Sequence, residues 1–225
     1  KEELSEKISN LNNLISHRGP DNQKIYIPSI HCAFGFSRLS IQDISSLADQ
    51  PFLTTDKRFI ISFNGEIYNL LEIKKKIKFD NYNFKTTSDT EVIAALIVKY
   101  GVEQGLKYLK GMYAIAIYDN FENKLYLHKD LYGKKPLYYL IYKNTFFFSS
   151  EISQTFIKNI KKISNEEFDV NFFMNFGFCK NHINQKGFSV YNSEFIEFNF
   201  KNNEIKKKNK YFFDYDSAEG FNTSN

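Results

Sequence analysis

Tryptophan is absent from this 225-residue chain, cysteine occurs twice, and arginine stands only at positions 18, 38 and 58. Two cysteines, Cys32 and Cys179, are too few for a disulfide framework, so a reducing, cytoplasmic setting is expected. No apolar run approaches the length of a membrane-spanning helix. No segment has the cationic start and apolar centre of a signal peptide. His17, His31, His128 and His182 fall in no metal-ligand spacing, so no metal site is expected. A net charge of +4 is modest, and the lysine runs at 74–76 and 206–208 lack the stripe with aromatic platforms that a nucleic-acid surface needs. They read as solvated faces. Lysine supplies nearly all of the 30 basic residues, so an arginine is expected where its planar fork matters, which marks Arg18 and Arg38.

What is present suits a globular protein: 42% hydrophobic and 25% charged residues, in a chain long enough for one large domain or a domain with an appendage. Leu4, Ile8, Leu11 and Ile15 recur at helical spacing and predict an amphipathic helix over 2–16, ended by the loop SHRGPDN. Residues 31–39 and 57–63 read as strands, and 68–78 as a lysine-edged helix. Ser88-Asp89-Thr90-Glu91 has capping-box spacing and opens a helix to Tyr100, followed by a short helix to Lys110. MYAIAIYD, KLYLHKD, PLYYLIY and TFFFSS, spaced by roughly ten residues, predict an antiparallel meander. EISQTFIKNI and DVNFFMNFGF read as short helices. EFIEFNF with EIKKKNKYFF reads as a last hairpin turning at Asn202-Asn203. Clustered strands with helices outside predict an α+β fold. The chain opens on Lys1 inside a helical pattern and closes on the polar tail DSAEGFNTSN, so a piece of a longer protein is expected.

One stretch, FIISFNGEIYN (59–69), poses a choice. An apolar run into Asn64-Gly65 is a strong local signal for a tight hairpin turn. Yet LLEIKKKI follows it, which reads as a helix and not as a returning strand. A turn and a polar backbone aimed at a ligand both stay open.

HRGPDN (17–22), SRLSIQD (37–43), FNGEIYN (63–69), SDTEVI (88–93), GMYAIAIYD (111–119), KDLYGKKPLYY (129–139) and SSE (149–151) occur in that order. Together they resemble the glutamine-hydrolysing domain of asparagine synthetases, the class II glutamine amidotransferases. The likeness is dense over 5–157 and thin over 165–215. It implies a four-layer αββα sandwich of two stacked antiparallel sheets, the N-terminal nucleophile hydrolase fold. It further implies an amino-terminal cysteine as nucleophile with its own α-amino group as base, and ammonia passed to an ATP-activated carboxylate. Residues 1–200 would be the amidotransferase domain without its first strand, and 201–225 a last strand and linker toward a synthetase domain.

By this resemblance Asn64 and Gly65 form the oxyanion hole, and Arg38 holds the α-carboxylate of glutamine. Leu39, Ser40, Ile41 and Gln42 line the pocket chiefly through backbone, and Glu66 and Asp89 face the α-ammonium. Asp89 also suits a helix N-terminus without any ligand. His17, Arg18 and Asp21 are expected to shape their loop, and Cys32 and Cys179 to be buried small hydrophobes, since an internal cysteine has no free α-amino group. No cofactor is expected in this domain. ATP and magnesium belong to the absent synthetase domain, which would be the partner in cis, with a homodimer as an option and neither nucleic acid nor membrane. Two features depart from the family: no cysteine-bearing strand precedes the first helix, and Lys129 stands where arginine is usual. The chain as given is therefore expected not to hydrolyse glutamine. The alternative is a degenerate domain with a glutamine-binding or structural role.

Overall fold

The computed structural model describes residues 2–38, 48–78, 82–142, 145–151 and 187–209. In chain order these hold α1 (Glu2–Asn13), a 3-10 turn (Ser16–Arg18), β1 (Asn22–Ser29), β2 (Cys32–Arg38), β3 (Phe52–Leu53), β4 (Phe59–Ile67) and α2 (Leu70–Lys78). After these come α3 (Asp89–Tyr100), α4 (Val102–Leu106), β5 (Gly111–Asp119) and β6 (Lys124–Lys129). The last are β7 (Tyr138–Tyr142), β8 (Thr145–Ser149), β9 (Gly187–Ser189), β10 (Glu194–Asn199) and β11 (Glu204–Asn209).

The centre is a six-stranded antiparallel sheet in the order β11-β10-β6-β5-β4-β3. Its side chains alternate between two separate cores, as the period of a strand requires. On β5, Tyr113, Ile115 and Ile117 enter one core with Ile93, Leu96 and Ile97 of α3 and Ile73 and Ile77 of α2. Ala114, Ala116 and Tyr118 enter the other, with Phe34 of β2 and Tyr139 of β7. Each of these fully buried aliphatic side chains contributes about 1.5–3 kcal/mol. The second core is roofed by two smaller antiparallel sheets, β1-β2 and β8-β7-β9, and α1 lies against β1 and β2. The result is helix, sheet, sheet, helices: the four-layer α+β sandwich.

Several local expectations are met. Ser88 caps α3 by accepting from the Glu91 N–H at 3.3 Å, while the Glu91 carboxylate accepts from the backbone N–H groups of Lys85 and Thr86 and from the Thr86 hydroxyl. The capping-box glutamate thus fastens the segment before the helix. The hairpin β10-β11 turns through 200–203, with Asn203 at φ 55.

Others are corrected. β1, an additional strand, begins inside the predicted loop at Asn22, and its partial burial explains why no strong alternation marks it. The meander breaks after β6: β10 takes the place beside β6, and β7 joins a different sheet. The run 74–76, by contrast, is a solvated face as expected, with Lys75 and Lys76 exposed and Lys74 half-buried; Lys74 lies 5.4 Å from the Phe84 ring and Lys76 4.1 Å from the Tyr108 ring, as cation–π pairs. Apart from Glu151, the two predicted helices EISQTFIKNI and DVNFFMNFGF lie outside the described residues, as do Cys179 and His182.

Candidate functional site

A cleft of about 610 Å³ opens between the central sheet and the β1-β2 and β7-β8 layer. Arg38 of β2, Asn64, Gly65 and Glu66 of β4, and Asp89 of α3 all line it. Leu39, Ser40, Ile41 and Gln42 lie outside the described residues. The room comes from β5, whose cleft-facing positions 114 and 116 are alanines.

Asn64-Gly65 is not a hairpin turn. β4 runs straight through it and pairs with β5 from Phe59↔Asp119 to Ile67↔Gly111, so tertiary pairing overrides the dipeptide signal. Gly65 is required because its backbone is crowded. A Cβ there would stand 2.2 Å from the Met112 carbonyl oxygen and 2.6 Å from the Tyr113 Cα. Tyr113 lies opposite Gly65, but its N–H donates to Asp130 Oδ2 at 2.9 Å, and its carbonyl accepts from the Asp130 N–H at 2.9 Å. The Tyr113 backbone therefore faces β6, and by the alternation of antiparallel ladders the Gly65 N–H faces away from β5.

On that outer edge of β4, β3 covers only Ile60 and Ile61. Further along it, the Phe63 N–H donates to Gln50 Oε1 at 2.6 Å and the Ile67 N–H to Asp89 Oδ2 at 2.8 Å. Between these two capped donors the Gly65 N–H has no partner among the described residues. The neighbouring Asn64 side chain, on the cleft face, likewise makes no hydrogen bond among them. An edge donor beside a carboxamide in a partly closed cleft is a pair of neutral donors suited to a developing oxyanion.

Asp89 occupies the first turn of α3, where the helix dipole favours an anion. Its Oδ2 is used by Ile67, while its Oδ1 is buried with no hydrogen-bond partner among the described residues. Burial pushes this carboxyl above its ordinary value; the Ile67 N–H opposes that shift and the Glu66 charge adds to it. The site thus holds an unsatisfied, desolvated acceptor that a cationic group would complete. Arg38 stands on the other wall with its side chain 12% exposed, its Nη1 on Asp49 Oδ1. A guanidinium opposite two carboxylates gives the cleft a bipolar character.

The HRGPDN loop wraps this arginine. The Asp21 N–H donates to the Arg38 carbonyl at 3.1 Å, and a Cβ on Gly19 would meet the Ser37 carbonyl at 2.3 Å. His17 and Arg18 both reach Glu151 Oε1 of the SSE motif, at 3.1 and 3.6 Å, which ties the loop to the end of β8. Arg58 lies elsewhere, forked onto Asp119. Lys129 is buried one strand beyond Ala114 and does not line the cleft; burial pushes its ammonium below its ordinary value, against Asp130 and Glu194. Burial pushes the Cys32 thiol up to about 12, and this residue is not on the cleft wall either.

Three contributors escaped the sequence: Asp49, Gln50 and Ser62. Ser62 carries a buried Oγ on the cleft wall with no hydrogen-bond partner among the described residues. A polar residue two positions before Asn64, on the same strand face, was the available signal for Ser62. Asp49 and Gln50 act through contacts across loops, which no spacing encodes.

The four layers and the edge donor at a strand end define a class, the N-terminal nucleophile hydrolase fold. A solved glutamine phosphoribosylpyrophosphate amidotransferase from Bacillus subtilis shares that fold, with a TM-score of 0.55 and 22% identity over 78% of this chain and 34% of its own. Within the class, the family model of the glutamine amidotransferase domain matches residues 1–212, and the chain belongs to that family. Asparagine synthetase [glutamine-hydrolyzing] 1 of Bacillus subtilis is 41% identical over 65% of this chain and 23% of its own length. Asparagine synthetase B of Escherichia coli is 40% identical over 60% of this chain and 24% of its own. The chain spans about a quarter of the length of these curated relatives. Among the described residues no helix is long and apolar enough to cross a membrane.

Proposed function

We propose that this domain binds glutamine in the cleft, cleaves its side-chain amide, and supplies the ammonia to an ATP-activated carboxylate held by a synthetase domain of the full-length protein. Arg38 takes the α-carboxylate, and Asp89 Oδ1 with Glu66 takes the α-ammonium. Leu39, Ser40, Ile41 and Gln42, by the family resemblance, add backbone groups to the substrate pocket. That anchoring directs the side-chain amide toward Asn64 and Gly65. An amino-terminal cysteine, the nucleophile of the family, supplies the sulfur, and its α-amino group takes the thiol proton and delivers it to the leaving nitrogen. The tetrahedral oxyanion sits on the Gly65 N–H and the Asn64 amide, a thioester forms, and water releases glutamate. ATP and magnesium act in the synthetase domain. Cys32 does not substitute, because a thiol with so high a pKa carries almost no thiolate near neutrality.

The observation that carries this reading is the open Gly65 N–H between two capped neighbours, in one cleft with Arg38 and the orphan Asp89 oxygen. The 225-residue polypeptide, whose two cysteines are both internal, is expected to bind L-glutamine without turning it over. Calorimetric titration with L-glutamine and D-glutamine tests the first half, and no preference for the L form would refute it. Fusing a Cys-Gly-led strand ahead of Lys1 and measuring glutamate release tests the second. Binding without release in that protein would favour a non-catalytic, glutamine-binding domain.

A further inference from the structure

Arg38 is not an isolated side chain reaching into the cleft. Its Nη1 sits on Asp49 Oδ1, and the second oxygen, Asp49 Oδ2, accepts from Asn22 Nδ2 at 3.2 Å. Asn22 is itself the register partner of Arg38 across β1 and β2. The Asp49 side chain is 11% exposed and the Arg38 side chain 12%, so water screens this pair far less than a surface pair. Asp49 is absent from the cleft wall, whereas its neighbours Ala48 and Gln50 are on it. Its carboxylate therefore meets the arginine from behind.

We propose that Asp49 is a positioning residue for ligand recognition: seated by Asn22, it fixes the Arg38 guanidinium so that the fork is presented to the α-carboxylate of an α-amino acid. This rests on the reading that glutamine is the ligand. A long side chain anchored on a buried carboxylate loses rotamer freedom before the ligand arrives, so binding does not bear that ordering cost. Asp49 also offsets the charge of Arg38 in the empty cleft. The device also accounts for the asparagine that ends HRGPDN: Asn22 braces the carboxylate that braces the arginine.

The test is calorimetric titration of the 225-residue chain with L-glutamine and with L-glutamine α-amide, which lacks the carboxylate. Asp49→Asn should weaken L-glutamine binding by about tenfold, the scale of one lost charge-assisted contact. It should leave the already weak binding of the α-amide unchanged. Asp49→Glu should recover part of the loss, and Asn22→Ala, at an exposed site, should weaken L-glutamine binding by about twofold. In an Arg38→Ala background, Asp49→Asn should have no further effect. Equal losses for both ligands would make Asp49 merely structural and overturn the proposal. Tighter L-glutamine binding in Asp49→Asn would overturn it too, by showing that Asp49 competes with the ligand for Arg38. If Asp49→Asn does not fold, Asn22→Ala decides alone through the same two ligands. A wild-type chain that fails to bind L-glutamine overturns the glutamine reading and this inference together, whereas binding that Asp49 does not influence overturns the inference only.

Discussion

Replacing Gly65 by alanine asks whether the donor edge of β4 is held by backbone crowding. The added Cβ would stand 2.2 Å from the Met112 carbonyl oxygen and 2.6 Å from the Cα and Cβ of Tyr113. Real Cβ atoms keep at least 3.0 Å from such neighbours, so β4 and β5 must separate locally by nearly an ångström. No side-chain rotation can relieve a clash with a carbonyl and a Cα. Overpacking of this kind costs about 1–3 kcal/mol, and its backbone character puts the expected loss at about 3 kcal/mol. For a domain of this size that lowers Tm by about 6–12 °C. With no tryptophan, urea unfolding followed by tyrosine fluorescence and far-ultraviolet circular dichroism is the suitable assay. Gly105→Ala provides the comparison, since its Cβ would meet the Leu96 carbonyl at 3.1 Å and needs only a slight shift. A Gly65→Ala midpoint equal to that of Gly105→Ala would refute the crowding argument.

Three further outcomes are expected. Asp89→Asn should stabilise the domain at pH 7 while weakening glutamine binding. The raised pKa means that the unfolded chain releases this proton first, so ionised Asp89 costs stability as pH rises from about 3.8 through the folded value; urea melts at pH 4 and 7, with titrations beside them, check both halves. His128, buried with its Nδ1 on the Glu194 carbonyl, has its pKa pushed down to about 4 by burial, so it costs stability as pH falls from 6.5 toward that value, about 3 kcal/mol in all. His128→Gln should flatten that part of the urea-derived pH profile, and an unchanged slope would contradict it. Ser88→Ala should cost about 1 kcal/mol by removing the α3 cap, read from the shift in urea midpoint at constant m-value.

The parts of the fold legible in the sequence are those set by local chemistry. Ser88 and Glu91 announce α3, and the alternation of GMYAIAIYD announces a strand with two working faces. Local signals mislead or fall silent where distant pairing decides. Asn64-Gly65 carries a turn signal, but β5 supplies a partner along the whole of β4, and a strand paired on both sides of a dipeptide does not turn there. β1 escaped because its first residues are exposed and its pattern weak, so its pairing with β2 does the specifying. At the site, Arg38, Asn64, Gly65, Glu66 and Asp89 were named by resemblance, and the structure places them around one cleft. Asp49 had no such signal: its meaning lies in a contact with a guanidinium on another element.

The division of labour along β5 has a consequence for redesign. Its odd positions, Tyr113, Ile115 and Ile117, anchor the helical core, while Ala114 and Ala116 leave the cleft its volume. Cavity size and the packing of the helical core therefore draw largely on alternating positions of one strand. A larger residue at 114 or 116 would narrow the range of ligands admitted without touching the helical core, so selectivity can drift there while the scaffold stays fixed.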